Sequence, residues 1–512
     1  MRNYLIALFF LFFQSVSAQL HQNSRMLQNA EFEVAVEKLL NSHTAIYGNA
    51  EKLEQITDSL QFKPNNNKII NGLAINLNKF EFNFKPIFYV EVGADAVKKS
   101  VQSNTYGGFS ISTKKNKKLY FEGNFTAHFA KLPEFANPQF ADLPVVPYFS
   151  QALYRNENSV AWLNFMGGLR YNPSKYFGFE IGKGAHKIGD GYRSLLLSEN
   201  SAQYAYSRLD ASVWRFKYFA MLSLLNDIKN SEPGLGLQHS FAVTHVLSYQ
   251  VFKAMNIYFF ETVLMNTTDS VGYRGFDVNY LNPMVFYRPV EFANGSPDNV
   301  LMGLGGKLTV FNTVSLYAQG ILDEFILSKT FSGAGWWGNK FGLQLGIYKV
   351  GLPFLPNSKI LAEYNWVRPF TYSHETNFTN YGSAGQALAH PSGANFDELL
   401  LRISLSHNNF DITLTGSAIR QGTDTSLVSL GSNPFRSYSL RKADEGNAFL
   451  QGELHKIMNA ELDAAYFFNK KANFKAGIRL RYRNDFSPKN KNLYTSFNVY
   501  IGTSIFNTSF LY

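Results

Sequence analysis

Residues 474–483 read FKAGIRLRYR. Phe474, Ala476, Ile478, Leu480 and Tyr482 share one face of a strand. Lys475, Gly477, Arg479, Arg481 and Arg483 share the other, because successive side chains of a strand point to opposite sides. A barrel in a membrane supplies both surroundings at once, lipid outside and a polar lumen inside. Turning the strand over would put its arginines in lipid at about 2–4 kcal/mol each near the midplane, so its register is strongly fixed. The same period of two recurs at 119–129, where Leu119, Phe121, Gly123, Phe125, Ala127 and Phe129 alternate with Tyr120, Glu122, Asn124, Thr126 and His128. It recurs again from Phe410, Ile412 and Leu414 against Asp411, Thr413 and Thr415.

Working outward from these stretches, candidate strands begin near residues 83, 106, 117, 159, 174, 203, 217, 238, 251, 276, 299, 314, 340, 358, 397, 409, 459 and 474. A C-terminal pair follows in LYTSFNVYIGTSIFNTSFLY (493–512), which ends on an aromatic residue. The expected fold is all-β: a transmembrane antiparallel barrel of about eighteen strands, with an even total between 16 and 20. Short turns such as Asn408-Asn409 and 469–473 join some pairs. Longer segments (132–158, 185–202, 264–275, 325–339, 367–395 and 420–446) join others, the asymmetry of barrels whose long loops lie outside the cell.

The start of the chain fits this setting. Arg2, the apolar run YLIALFFLFF (4–13) and Val16-Ser17-Ala18 predict a signal peptide over 1–18, too short to span a bilayer. Residues 19–78 change character. Asn29 caps a helical pattern of Phe32, Val36, Leu39 and Leu40, and Leu53, Ile56 and Leu60 share a second face. A short, partly helical periplasmic or lumen-plugging segment is expected there, with the barrel over 79–512. Phe and Tyr number 47 and 29, more than a soluble core needs and enough for interfacial girdles. The chain has no cysteine, so it has neither a lipoprotein anchor nor a thiolate site. The net charge of +10 suits acidic glycans or lipopolysaccharide phosphates; a secreted chain has little chance to meet nucleic acid.

Four segments resist a plain strand reading: GKGAHKIGDGYRSLLLSEN (182–200), NYLNPMVFYRPVE (279–291), EYNWVRPFTYSH (363–374) and AHPSGANFDE (389–398). Their prolines and glycines forbid a regular ladder, and ordered loops are where binding is usually built. In their order and spacing, together with KFEFNFKPIFYVEVG and the YGGFSIST–KKLYFEGNF pair, these segments resemble the Wzi-type capsule-assembly outer-membrane proteins. The RemB-type gliding-motility proteins of Bacteroidetes are the nearest branch. The resemblance runs from about residue 80 to the end. It implies an 18-stranded barrel, a surface-polysaccharide or motility role, and no enzymatic activity.

No sugar-binding motif carries over with it, so candidate site residues rest on chemistry. Tyr192, Trp336, Trp337 and Trp366 could stack on sugar faces; Arg193, Arg288 and Arg368 could pair with uronate or phosphate, and His186 sits in the same group. Equally, the aromatics could be girdle residues and the arginines could serve loop carbonyls. Lys475, Arg479, Arg481 and Arg483 form a candidate basic lumen. It would suit anionic solutes in a porin, an acidic polymer, or acids across the lumen such as Glu122. His186, Asp190 and Ser194 lie on one loop without a nucleophile elbow. Histidine spacing gives no zinc motif, and Asp323-Glu324 and Asp397-Glu398 lack the repeat of a calcium loop, so no cofactor or metal is expected. The expected partners are outer-membrane lipid and an acidic surface polysaccharide or gliding-motility components. The sequence does not fix the oligomeric state.

Overall fold

The computed structural model describes residues 73–503, apart from 78–79, 116–117, 134, 136–144, 150–151, 157, 228–237, 267, 270–271, 274–279, 281–297, 332, 377 and 471, together with His43, Ala45 and Ile46. The expected signal peptide over 1–18, nearly all of the 19–78 segment, Arg288 and the run 504–512 lie outside the described residues.

Eighteen strands form one closed antiparallel wall. They are β1 (Phe80–Asp95), β2 (Val101–Lys115), β3 (Leu119–Lys131), β4 (Ser159–Tyr171), β5 (Phe177–Gly184) and β6 (Tyr204–Val213). Next come β7 (Phe216–Asp227), β8 (Gln238–Phe252), β9 (Met255–Asn266), β10 (Asn299–Val310), β11 (Val314–Glu324) and β12 (Lys340–Leu352). The wall finishes with β13 (Leu355–Val367), β14 (Phe396–His407), β15 (Phe410–Thr423), β16 (Glu453–Asn469), β17 (Phe474–Phe486) and β18 (Lys491–Thr503). Each strand pairs with the next. β18 closes the ring on β1, from Tyr89 opposite Gly502 to Asp95 opposite Ser496. Two short strands, Leu73–Leu77 and Tyr154–Asn156, add to β1 and β4.

The expected strand near 276 is not part of the wall: β9 pairs directly with β10, Leu264 opposite Asn299. Its residues looked like a strand because they are aromatic. Tyr280 instead covers the outward side chains Val243, Val263, Met265 and Val300. Of the C-terminal pair, only the first member, β18, falls within the described residues.

The alternation works as the lipid–lumen division requires. Ile478, Leu480 and Tyr482 are about two-fifths exposed on the outer face, while Arg481 and Arg483 are buried inside. Short turns gather at one end, at 172–176, 214–215, 253–254, 311–313, 353–354 and 408–409. Asn408 takes φ 51° there, the left-handed conformation that two-residue hairpins need. Near this end lie outward aromatics in contact, such as Phe216 with Tyr249 and Phe410 with Tyr466 (ring centroids 4.7 and 5.1 Å), as an interfacial girdle would be built. The long segments 185–203, 325–339, 368–395 and 424–452 all leave from the opposite end.

Candidate functional site

Between β5 and β6 the chain leaves the wall and enters the lumen. Ile188 and Leu197 bridge each other, and with Leu195 and Leu196 they form an apolar face. It packs on Tyr204, Phe219, Met221, Tyr258, Phe260 and Ile321 of the wall and on Tyr372 and Tyr381 of the 368–395 segment. The expectation that 185–202 is simply an outer loop is therefore corrected: its leucines have a better partner in the lumen than in water. Gly189 takes φ +122°, and a Cβ there would fall 1.6 Å from Gln319 Nε2. Only glycine allows this approach.

The polar half of the segment is latched to four strands, β10, β11, β13 and β14. Glu363 on β13 accepts from the backbone N–H groups of Tyr192 (2.8 Å) and Arg193 (3.1 Å), from Tyr317 Oη (2.8 Å) and from Asn365 Nδ2 (2.9 Å). The Arg193 guanidinium meets both oxygens of Glu398 on β14, at 3.1 and 3.3 Å. Gln319 on β11 donates to Ile188 O and accepts from Leu195 N–H. Asp190 pairs with Lys307 at 3.4 Å. Burial works against charge on Arg193, but Glu398 outweighs it and raises the pKa. His390 donates from Nε2 to Glu398 at 2.8 Å and accepts from Ser392 N–H at Nδ1; burial lowers its pKa, and it stays neutral. His186 lies against Tyr204 and Tyr206, its pKa pushed down to about 3 by burial and the Arg208 charge. His43, Ala45 and Ile46 reach the same interior: Gly189 N–H donates to Ala45 O, and His43 Nδ1 lies 2.8 Å from Ser248 Oγ.

A second cluster forms at the outer end from three loops. Trp337 lies beside Tyr438 (4.6 Å), with the Arg441 guanidinium 4.2 Å and the Lys340 ammonium 5.1 Å from its ring. Lys340 also stands over Tyr438 and binds Glu324 and Ser373 O. Lys329 covers Trp336. Trp337 Nε1 is buried without a hydrogen-bond partner. His374 stands edge-on to Tyr438, and burial with the nearby Lys340 charge pushes its pKa down to about 4. Arg368 donates to Asn339 O and covers Phe341. The structure thus brings Trp336, Trp337 and Arg368 to one region, and His186, Tyr192 and Arg193 to another. Trp366 points outward from β13 between Phe341 and Phe449. The sequence reading missed Lys340, Tyr438 and Arg441, which come from separate segments, and Glu363, which looked like an ordinary strand residue.

The basic lumen row is paired. Arg479 binds Asp463 and Glu91, Arg481 binds Glu91 and Glu461, and Arg483 binds Asn459 and approaches Asp485. Lys475 stands over Phe467. The acids come from adjacent strands and from β1, not from Glu122. Of the residues weighed as a triad, Ser194 donates to Ile188 O, Asp190 faces Lys307 and His186 faces Tyr204. Among the described residues no cluster of His, Asp or Glu has the form of a metal site.

No family model matches the chain, and no curated protein matches it by sequence. Solved structures do match. Wzi of Escherichia coli, described as an outer-membrane protein involved in group 1 capsule assembly and a carbohydrate-binding β-barrel, superposes with a TM-score of 0.55 at 10% identity, over 96% of this chain and 100% of that one. The outer-membrane protein OprD of Pseudomonas aeruginosa gives 0.46 at 10% identity, over 84% and 95%. With a sealed eighteen-strand wall, an apolar exterior and a polar interior, the chain has the fold of a Wzi-like outer-membrane β-barrel.

Proposed function

We propose that this chain is a non-enzymatic outer-membrane protein that holds acidic surface polysaccharide at its outer end. The observation that carries this reading is the Trp336–Trp337–Tyr438 cluster with Lys329, Lys340 and Arg441 against its rings. Flat aromatic faces suit the C–H faces of sugars, and nearby cations suit uronate or phosphate groups. Both a capsule-assembly and a gliding-motility role would use such a surface. The likeness to Wzi favours capsule assembly; the RemB-type resemblance of the sequence favours motility.

The alternative is a channel for anionic solutes. It is the weaker reading, because residues 185–203 lie across the interior. Ion pairing does not separate the two readings, since Lys329, Lys340 and Arg441 are paired with Glu445, Glu324 and Asp444 just as the lumen arginines are with Glu91, Glu461 and Asp463. Binding of the surface polysaccharide of the producing cells to the purified protein tests the proposal: Trp337→Ala is expected to weaken it about tenfold or more. A large steady current through the intact protein in planar bilayers would sink the proposal in favour of the porin.

A further inference from the structure

The inner wall away from the latch carries a second aromatic arrangement. Tyr500, Tyr89, Tyr106, His128 and Trp162 follow one another across β18, β1, β2, β3 and β4, with ring centroids 5.7, 4.9, 4.8 and 4.5 Å apart. The register sets Tyr106 opposite both Tyr89 and His128, and His128 opposite Trp162. Phe149, from the segment between β3 and β4, packs against the row at a tilt of 50° and 46°, its ring 5.1 Å from both His128 and Trp162. Gln386 holds it there: Oε1 accepts from Tyr148 N–H at 2.6 Å, and Nε2 donates to Val146 O and Phe149 O at 3.3 and 3.2 Å.

The polar atoms beside this stack are unsatisfied. Gln102 Nε2, both amide atoms of Asn104, Trp162 Nε1 and Asn164 Nδ2 are buried with no hydrogen-bond partner, and all four residues are at least nine-tenths buried. Native proteins rarely leave such groups unpaired, and a concentration of them in one place calls for an explanation. They flank the ladder on its own strands, Asn104 two residues from Tyr106 and Asn164 two residues from Trp162. The lumen arginines are already committed, Arg479 and Arg481 to Glu91, Asp463 and Glu461 and Arg483 to Asn459 and Asp485, so the patch itself offers four neutral N–H donors and the Asn104 carbonyl.

We propose that Phe149 occupies, from within the chain, a stacking subsite for one neutral sugar ring of a glycan. When a sugar takes its place, the ring lies against His128 and Trp162, and its hydroxyls, which both donate and accept, pair with Asn104 and the Trp162 indole N–H. A hydrocarbon would leave those atoms unpaired, and a carboxylate could not pair with Asn104 Oδ1, which needs a donor such as a hydroxyl. The identity of the ligand rests on the polysaccharide reading above; the site itself rests on separate residues.

The test uses the full mature chain in detergent and short oligosaccharides cut from the surface polysaccharide of the producing cells, titrated calorimetrically. Phe149→Ala vacates the subsite, and Gln386→Leu releases its holder. Each is expected to tighten binding about tenfold or to add a second site. Asn104→Leu placed in the Phe149→Ala background is expected to remove that gain, and Trp337→Ala to leave it intact. If Phe149→Ala and Gln386→Leu, or whichever of them folds, bind no better than the parent, the inference is overturned. A gain that survives Asn104→Leu overturns the polar assignment. If the parent protein does not bind and Phe149→Ala does, the outer-end reading fails and the interior subsite stands.

Discussion

On the β11–β14 side of the lumen, buried charge is met by several donors at once, although the neutral Gln344 Oε1, Ser404 Oγ and Ser406 Oγ of these strands are buried without a partner. Glu363 alone accepts from Tyr192, Arg193, Tyr317 and Asn365. On the β2–β4 side, equally buried amides at Asn104 and Asn164 are left with atoms that have no partner. Both surfaces are inner faces of one wall. The difference lies in what packs on them: a segment rich in backbone and side-chain donors on one side, and an aromatic row with Phe149 against His128 and Trp162 on the other. A satisfied network fixes one arrangement firmly, whereas an unsatisfied one favours any arrangement that supplies partners.

The contrast can be broken most strongly at Arg193. Arg193→Ala leaves Glu398 buried beside His390 and is expected to cost about 3–5 kcal/mol of unfolding free energy in urea. It should also produce steady conductance where the parent is silent. An unchanged stability would mean that the latch does not hold the segment. Gln319→Leu, of similar volume, strips partners from Ile188 O and Leu195 N–H and should cost about 2–3 kcal/mol. Acid probes the same side. The folded pKa of His186 is about 3 and the unfolded value about 6.5. The unfolded state therefore binds the extra proton between them, and the stabilisation present above about pH 6.5 is lost as pH falls. Stability at pH 5 should be about 2 kcal/mol below that at pH 7 from this group, and His186→Gln should flatten that part of the profile. The smallest effect has the opposite sign: Asn104→Leu should leave stability unchanged or raise it by about 1 kcal/mol. A clear loss there would show that the two sides are built alike.

Much of the wall was legible because its signal is local. Seventeen of the candidate strand starts correspond to wall strands, and the one near 276 does not. That segment is as aromatic as a strand, yet its described residue, Tyr280, packs on the outside of the wall against Val243, Val263, Met265 and Val300. The candidate site was legible only in part. Trp336 and Trp337 stand out in any loop, but the cations that make them a site, Lys340 and Arg441, lie on other elements. Glu363 carries no local mark of its role, since its partners Tyr192 and Arg193 are 171 and 170 residues away.

The sequence by itself determined which side of each strand meets lipid, because the two faces of FKAGIRLRYR differ in transfer free energy and the period of two is a property of neighbouring residues. Only the tertiary structure decided what the inner faces do. Arg479 and Arg481 could have lined an anion path, and they became half of an ion-pair network because ring closure brings Glu91 against them. Residues 185–203 could have been a surface loop, and they became a latch because Glu363 and Glu398 face inward at the height where the chain leaves the wall.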